Sequence, residues 1–282
     1  MQIGASMFFT DYSMTPAELG MALEERGFES VWAPEHSHIP LSRKTPFPGG
    51  GDLPKRYYDA MDPFVTLTAA AAVTKTLKIG TGVCLVNQRD PIQTAKLVAS
   101  IDQVSQGRFL FGIGIGWNQD EMENHGTEFS SRAKLSRERI EAMREIWTKP
   151  KAEYHGEFVN FEAMMAWPKP VQKRLPVIVG GAFPHAVRRA IRYGDGWIPV
   201  AGRASMALDE QVSAFKQMCA EAKRDPAEIP ISSFGVKEDA DTVARMKELG
   251  LARVVVMLDS EKSDVILPIL DRWAAISKTI NQ

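Results

Sequence analysis

The sequence predicts an α/β fold, a single closed (β/α)8 TIM barrel spanning residues 1–282. Three observations carry this. Short apolar runs alternate with helical patterns from end to end, eight such units fit one large domain, and no Pro/Gly/Ser linker or shift of composition divides the chain. Strands that alternate with helices pair in parallel through right-handed crossovers, and eight of them can close on themselves. An open doubly wound sheet is the alternative.

The elements follow in order. Ile3 to Phe8 is an apolar run, and Pro16 to Arg26 a helical pattern closed by Gly27. Ser30 to Ala33 leads to a helix over Asp62 to Thr74, and Leu77 to Val83 to one over Pro91 to Ser105. Phe109 to Ile115 precedes Leu135 to Thr148, and Val177 to Val179 precedes Pro184 to Tyr193. Gly196 to Val200 is followed by Ser205 to Lys223, Ile231 to Phe234 by Ala240 to Leu249, and Arg253 to Leu258 by Ser263 to Lys278. Two segments exceed the minimal repeat. One is His36 to Met61, after the second strand, with a Gly49-Gly50-Gly51 hinge and the character of a lid. The other is Lys151 to Lys173, before the fifth strand, which reads as a hairpin turning at His155-Gly156 with a structural or subunit-contact role.

The fourth strand and its exit, FLFGIGIGWNQDE, stand out. Glycines at Gly112, Gly114 and Gly116 strip one face of the strand while Phe111, Ile113 and Ile115 keep the other apolar. A bare face marks close approach of a ligand or of a neighbouring backbone, and the segment alone leaves both open. The spacing is not the dinucleotide-binding fingerprint, which needs a later third glycine and an acidic residue about twenty positions on.

Composition narrows the function. A net charge of −1 from 34 basic and 35 acidic residues provides no global field for nucleic acid or an anionic membrane. No apolar stretch is long enough to span a bilayer, and the first residues lack a secretion-signal plan, so the expected location is the cytoplasm. Cys84 and Cys219 are isolated, which argues against disulfides or structural zinc, and Cys219 reads as a small buried hydrophobe. No HExxH, GxSxG or Walker A motif occurs, so no metal site is expected. Glu138, Glu141 and Glu145 recur at helical spacing and read as a solvated face.

A parallel barrel places its site at the C-terminal ends of its strands. There the chain offers Glu35 and His36 after strand two, Gly82, Val83 and Cys84 after strand three, and Gly116, Trp117 and Asn118 after strand four. Strand five ends in Gly180, Gly181 and Ala182, with Pro184 suited to the first helical turn. These glycines either favour an anion through free N–H groups and the helix dipole or simply permit a tight turn. Apolar walls, bare glycine faces and few ionisable groups suit a large flat cofactor that brings its own chemistry.

These segments resemble the bacterial luciferase-like superfamily, most closely its deazaflavin F420-dependent oxidoreductase branch. The carriers are GFESVWAPEH, IGTGVCLVNQRDPIQTAK, GRFLFGIGIGWNQDEMENHG, and VIVGG followed by YGDGWIP. The resemblance implies a barrel, usually homodimeric, with the cofactor's tricyclic ring in its mouth and its phosphate near Gly180 and Gly181. It also implies a non-proline cis peptide at Gly82-Val83, a catalytic His36 beside the ring's reactive centre, and Glu35 as the acidic partner of an acidic-His pair. The sugar-phosphate dehydrogenases of the branch carry an acid where this chain has Trp117, so a flatter or more apolar organic substrate is expected. The implied cofactor is F420, with FMN as the alternative in a monooxygenase using dioxygen. A flavin-binding protein without turnover is a third reading. The basic lid residues Arg43, Lys44, Lys55 and Arg56 either meet an acidic ligand or form a solvated loop.

Overall fold

The computed structural model describes residues 1–199 and 206–282. The strands are β1 (Gln2–Met7), β2 (Ser30–Ala33), β3 (Lys78–Thr81), β4 (Cys84–Leu85), β5 (Phe109–Gly114), β6 (Ala152–His155), β7 (Asn160–Met164), β8 (Val177–Gly180), β9 (Gly196–Ile198), β10 (Ser232–Phe234) and β11 (Arg253–Leu258). The helices are α1 (Pro16–Glu25), α2 (Pro63–Val73), α3 (Pro91–Val104), α4 (Gln119–Asn124), α5 (Arg132–Thr148), α6 (His185–Tyr193), α7 (Leu208–Glu221), α8 (Ala240–Glu248) and α9 (Ser263–Asn281).

Local chemistry explains the helix starts. Thr15 and Glu18 form a reciprocal capping box ahead of α1, with Pro16 at its first position. Asp62 and Asp90 cap α2 and α3 without the reciprocal bond, each followed by a proline, Asp62 accepting from Phe64 N and Val65 N and Asp90 from Gln93 N. A helix begun this way loses fewer unpaired donors to the interior.

The barrel strands pair in parallel in the order β10-β11-β1-β2-β3-β5-β8-β9. A parallel bridge between Trp197 and Ile231 joins the two ends, supported by Trp197 N donating to Pro230 O at 3.1 Å. The sheet is therefore closed rather than open. Alternate residues of each strand face outward into one apolar layer under the helices, and the others face inward. Trp32, Leu110, Ile178, Ile198, Phe234 and Val255 pack inside the barrel, with Val83 against them. Trp32 needs space: a Cβ on Gly80 would lie 2.5 Å from its ring.

The glycine face of β5 has two explanations rather than one. A Cβ on Gly112 would sit 2.0 Å from the Thr81 carbonyl oxygen, and one on Gly114 would sit 2.5 Å from Val83 Cγ2. Backbone and side chain of the neighbouring strand occupy that face. Gly116 differs, with φ of +71° at the mouth of the barrel.

Several boundaries depart from the pattern reading. The third strand is not continuous from Leu77 to Val83. It breaks into β3 and β4 around a cis Gly82-Val83 peptide, so that β4 pairs with β5. Helix α4 was not signalled, because QDEMEN has six residues and no apolar period. The hairpin is antiparallel as expected, but its turn covers residues 156–159 and not His155-Gly156 alone, since His155 still pairs with Asn160. Glu138 is no part of a solvated face. It is buried on α5 and accepts from the N–H groups of Glu157, Phe158 and Val159, fastening the hairpin to the barrel. Val200 of the sixth predicted strand and Ser205 of the helix after it lie outside the described residues. Among the described residues, no helix is long and apolar enough to cross a membrane.

Candidate functional site

A cavity of about 580 Å³ opens at the C-terminal ends of the barrel strands. Gly82 and Val83 form its floor beside Leu85, and Gly114, Ile115, Gly116 and Trp117 form one wall. Gly180, Gly181 and Ala182 continue the lining at the end of β8, the strand next to β5, and Ile198 and Phe234 complete it. Its ionisable lining is basic: Arg132, His185 and Arg189 contribute to it, and among the described residues no lining residue is acidic.

Glycine is required at the end of β8. A Cβ on Gly180 would meet Val83 Cγ1 at 2.8 Å, and Gly181 has φ of +133° with Arg189 Nη2 3.2 Å from where its Cβ would stand. Helix α6 starts within a few residues, bringing the positive end of its dipole to the same corner. The Nε atoms of Arg132 and Arg189 are buried without a hydrogen-bond partner. Burial lowers the pKa of both guanidiniums, which remain cations at any physiological pH. Under-bonded cations at a helix start suit an anionic group.

Four of the residues singled out from sequence stand outside the lining. Glu35 is buried behind the wall, where its carboxylate accepts from Leu85 N at 2.6 Å and from Arg89 Nε at 2.5 Å. Arg89 also pairs with Asp62 at the head of α2. The group braces the backbone just beyond the cis peptide. Cys84 is fully buried and pairs in register with Ile113, and burial, followed by the charge of Glu35, pushes its thiol well up. It is no nucleophile. Asn118 is 2% exposed, and neither end of its amide finds a partner.

His36 lies one layer above the cavity, its ring 5.7 Å from that of Trp117 and 5.3 Å from that of Tyr57. Its Nδ1 is 2.7 Å from Oε2 of Glu121, a side chain with no solvent exposure. The other oxygen of Glu121 accepts from Ser37 N at 3.0 Å. Segment 36–61 is thus anchored to α4 at its start. Asp120 repeats the pattern, accepting from Ser42 Oγ and from Lys44 N, while Gln119 N donates to Thr45 Oγ1. Phe47 then lies 5.9 Å from Trp117, roofing the mouth with aromatic rings. Of the basic residues in this segment, Lys55 pairs with Asp59 and Arg56 with Asp259, so both are engaged within the protein.

Sequence reading missed Glu121, Arg132 and Arg189. Glu121 lies in a polar hexapeptide, and the two arginines lie in helical patterns where a basic residue reads as solvated. Nothing in their spacing marks them. One signal existed for Arg189, its place on the first turns after the glycine pair, where a cation and a helix start act on the same volume.

The luciferase-like monooxygenase family model matches residues 16–250. An uncharacterised protein of Mycobacterium tuberculosis is 40% identical over 280 residues, covering 98% of both chains. An F420-dependent glucose-6-phosphate dehydrogenase of Gordonia bronchialis is 30% identical over 217 residues, covering 74% of this chain and 59% of that one. Among solved structures, a monooxygenase of Streptomyces bottropensis superposes with a TM-score of 0.75 at 19% identity, covering 98% of both chains. An F420-dependent secondary alcohol dehydrogenase, solved with an F420-acetone adduct, gives 0.74 at 19% identity, covering 98% of this chain and 97% of that one. The closed parallel barrel and its matched span place this chain in the luciferase-like monooxygenase family, whose relatives include F420-dependent dehydrogenases.

Proposed function

We propose that this protein is an F420-dependent oxidoreductase moving a hydride to or from a small, flat or apolar organic substrate, and acting as a homodimer in the cytoplasm. The observation that carries the reading is the cavity itself, whose described lining is largely apolar, holds no acid and includes two guanidiniums with unpartnered Nε atoms. A flat ring with an anionic tail fits both features. The 30%-identical relative named for F420 supports the choice of deazaflavin.

In this reading Gly180, Gly181 and Ala182 receive the cofactor phosphate with Arg132 and Arg189. Gly82 and Val83 back the ring, and Gly116 leaves room at its edge. Glu35 and Cys84 act from behind, holding the strand that carries Val83. Asn118 offers a buried amide with free hydrogen-bonding capacity at the mouth. Bound deazaflavin supplies the carbon that accepts or gives the hydride. His36 holds or releases the proton of the substrate oxygen through Nε2, which has no protein partner among the described residues. Trp117 and Phe47 exclude water above it and favour an apolar substrate.

Titration of the purified protein with F420 and with FMN, followed by absorbance and fluorescence, tests the cofactor. F420 is expected to bind more tightly, and Arg189→Ala to weaken it about tenfold to a hundredfold, the cost of a charge-assisted hydrogen bond. Tight FMN binding with no affinity for F420 would overturn the deazaflavin reading and favour an FMN monooxygenase, a class represented among the fold neighbours. His36→Ala is expected to lower turnover by roughly 10²- to 10⁴-fold with the cofactor still bound. Cofactor binding without any substrate-dependent change in its redox state would favour the non-catalytic alternative.

A further inference from the structure

We infer that Glu121 is a positioning residue that fixes the tautomer and aim of His36, and so makes Nε2 a proton acceptor facing a substrate hydroxyl. This rests on the proposed role of His36 and goes further, since it names the group that sets the tautomer and orientation of that histidine.

Glu121 has no solvent exposure, and its two oxygens meet the same two-residue segment: Oε2 lies 2.7 Å from His36 Nδ1, and Oε1 accepts from Ser37 N at 3.0 Å. Ser37 N is always a donor. An ionised carboxylate accepts only, so the pair is satisfied when Nδ1 carries the hydrogen. In the neutral ring, the lone pair then resides on Nε2. The His36 side chain is 6% exposed and wedged against Tyr57 and Trp117, so the ring cannot turn over without disturbing the roof of the cavity. Position and tautomer are set together.

The consequence for the reaction is directional. In the oxidation of an alcohol, the carbinol C–H bond breaks with its electron pair leaving as hydride to the deazaflavin. The O–H bond breaks with its proton passing to Nε2, and the C–O bond becomes a carbonyl. Two electrons and one proton leave with the hydride, and one further proton is on His36, now an imidazolium whose Nδ1–H still faces Glu121. Reduction of a carbonyl runs the same steps backwards from that imidazolium. In either direction the carboxylate of Glu121 faces the charged ring.

A glutamine at this position separates positioning from bulk. Glu121→Gln keeps the size but offers one acceptor and one donor to two donors. The amide oxygen then serves Ser37 N, and its NH2 faces Nδ1, which favours the Nε2–H tautomer. The chain has five histidines, so 15N-histidine labelling with long-range 1H–15N correlation of the cofactor-free protein resolves them, and loss of one signal set in His36→Ala identifies His36. The expected result is Nδ1–H in the wild type and Nε2–H in Glu121→Gln at a pH where the ring is neutral. Where the wild type oxidises a secondary alcohol from a panel that includes 2-propanol, the variant is expected to lose about 10²- to 10⁴-fold in kcat, with KM little changed. An Nε2–H signal in the wild type overturns the inference, whether or not the variant folds. So does a variant that keeps the wild-type tautomer, or one that flips it with no loss of kcat. Undiminished turnover in His36→Ala would instead remove His36 from the reaction while leaving the measured tautomer as it is, so the two failures are distinguishable.

Discussion

Val83 is seated by glycines on two different strands, with Gly114 on one side and Gly180 on the other leaving space for its two methyl groups. Gly180→Ala would force a 2.8 Å contact onto Val83, which lines the cavity. Expected are a stability loss of about 1–3 kcal/mol in urea unfolding and a cofactor affinity reduced by more than that loss of folding explains. A variant that binds F420 normally would remove Val83 from the ring contact. The segment alone leaves crowding and ligand approach open for Gly112, Gly114 and Gly116, and its place at the end of a barrel strand favours a cofactor-facing role. Crowding accounts for Gly112 and Gly114, because the atoms that fill those gaps, the Thr81 oxygen and Val83 Cγ2, come from a neighbouring segment whose register no single-strand period encodes. At the other end of the barrel, burial works to raise the pKa of Glu29, but the Arg253 hydrogen bonds and charge outweigh it and bring it down to about 2. A carboxyl held below its usual 4.5 contributes stability that is present above about pH 4.5 and is lost as pH falls towards 2. The size is roughly 3 kcal/mol at most. Urea midpoints at pH 6 and pH 3 are expected to converge for Glu29→Gln relative to the wild type, and an unchanged pH dependence would show that this pair does not contribute.

Short polar elements escaped the pattern reading, and two of them organise the rest. Helix α4 carries Asp120 and Glu121, which between them hold Ser37, His36, Ser42 and Lys44, so a six-residue element fixes the base of a much longer segment. On α5, Glu138 does the same for the hairpin of β6 and β7. The i, i+3, i+7 spacing of Glu138, Glu141 and Glu145 marks one face of a helix but cannot say what lands on it. Glu138→Ala would leave three backbone N–H groups, at Glu157, Phe158 and Val159, without their acceptor. The expected cost is about 2–4 kcal/mol, discounted for the water that reaches Glu157, with faster proteolysis in residues 156–159. The cofactor cavity shares no residue with this contact, so F420 binding should be unchanged in the folded variant. Weakened binding would mean that the hairpin communicates with the site.

For the molecule as a whole, the barrel was legible because eight strand-helix units each repeat the same buried alternation, so that boundary errors of a residue or two do not alter topology. The proposed homodimer is a matter of one exposed helix face. Helix α2, PFVTLTAAAAV, holds no charged residue, and while Phe64, Leu67, Ala70 and Ala71 pack inward, Val65, Ala69, Ala72 and Val73 lie exposed on the opposite side. A helix apolar all round is ordinarily covered all round. Met21 of α1 and Leu97 of α3 extend the exposed apolar surface on the neighbouring helices. A second copy of the chain packed on this face would bury it symmetrically, and a stable contact needs about 800 Å² from each partner. The expectation is a homodimer in sedimentation equilibrium, and a monomer once Val65→Glu and Ala69→Glu place two pairs of like charges across the two-fold axis. The double variant, retaining its barrel by circular dichroism, should still bind F420, because neither Val65 nor Ala69 lines the cavity. A dimer that survives both substitutions would have to use another face, and the uncovered apolar side of α2 would then need a different partner.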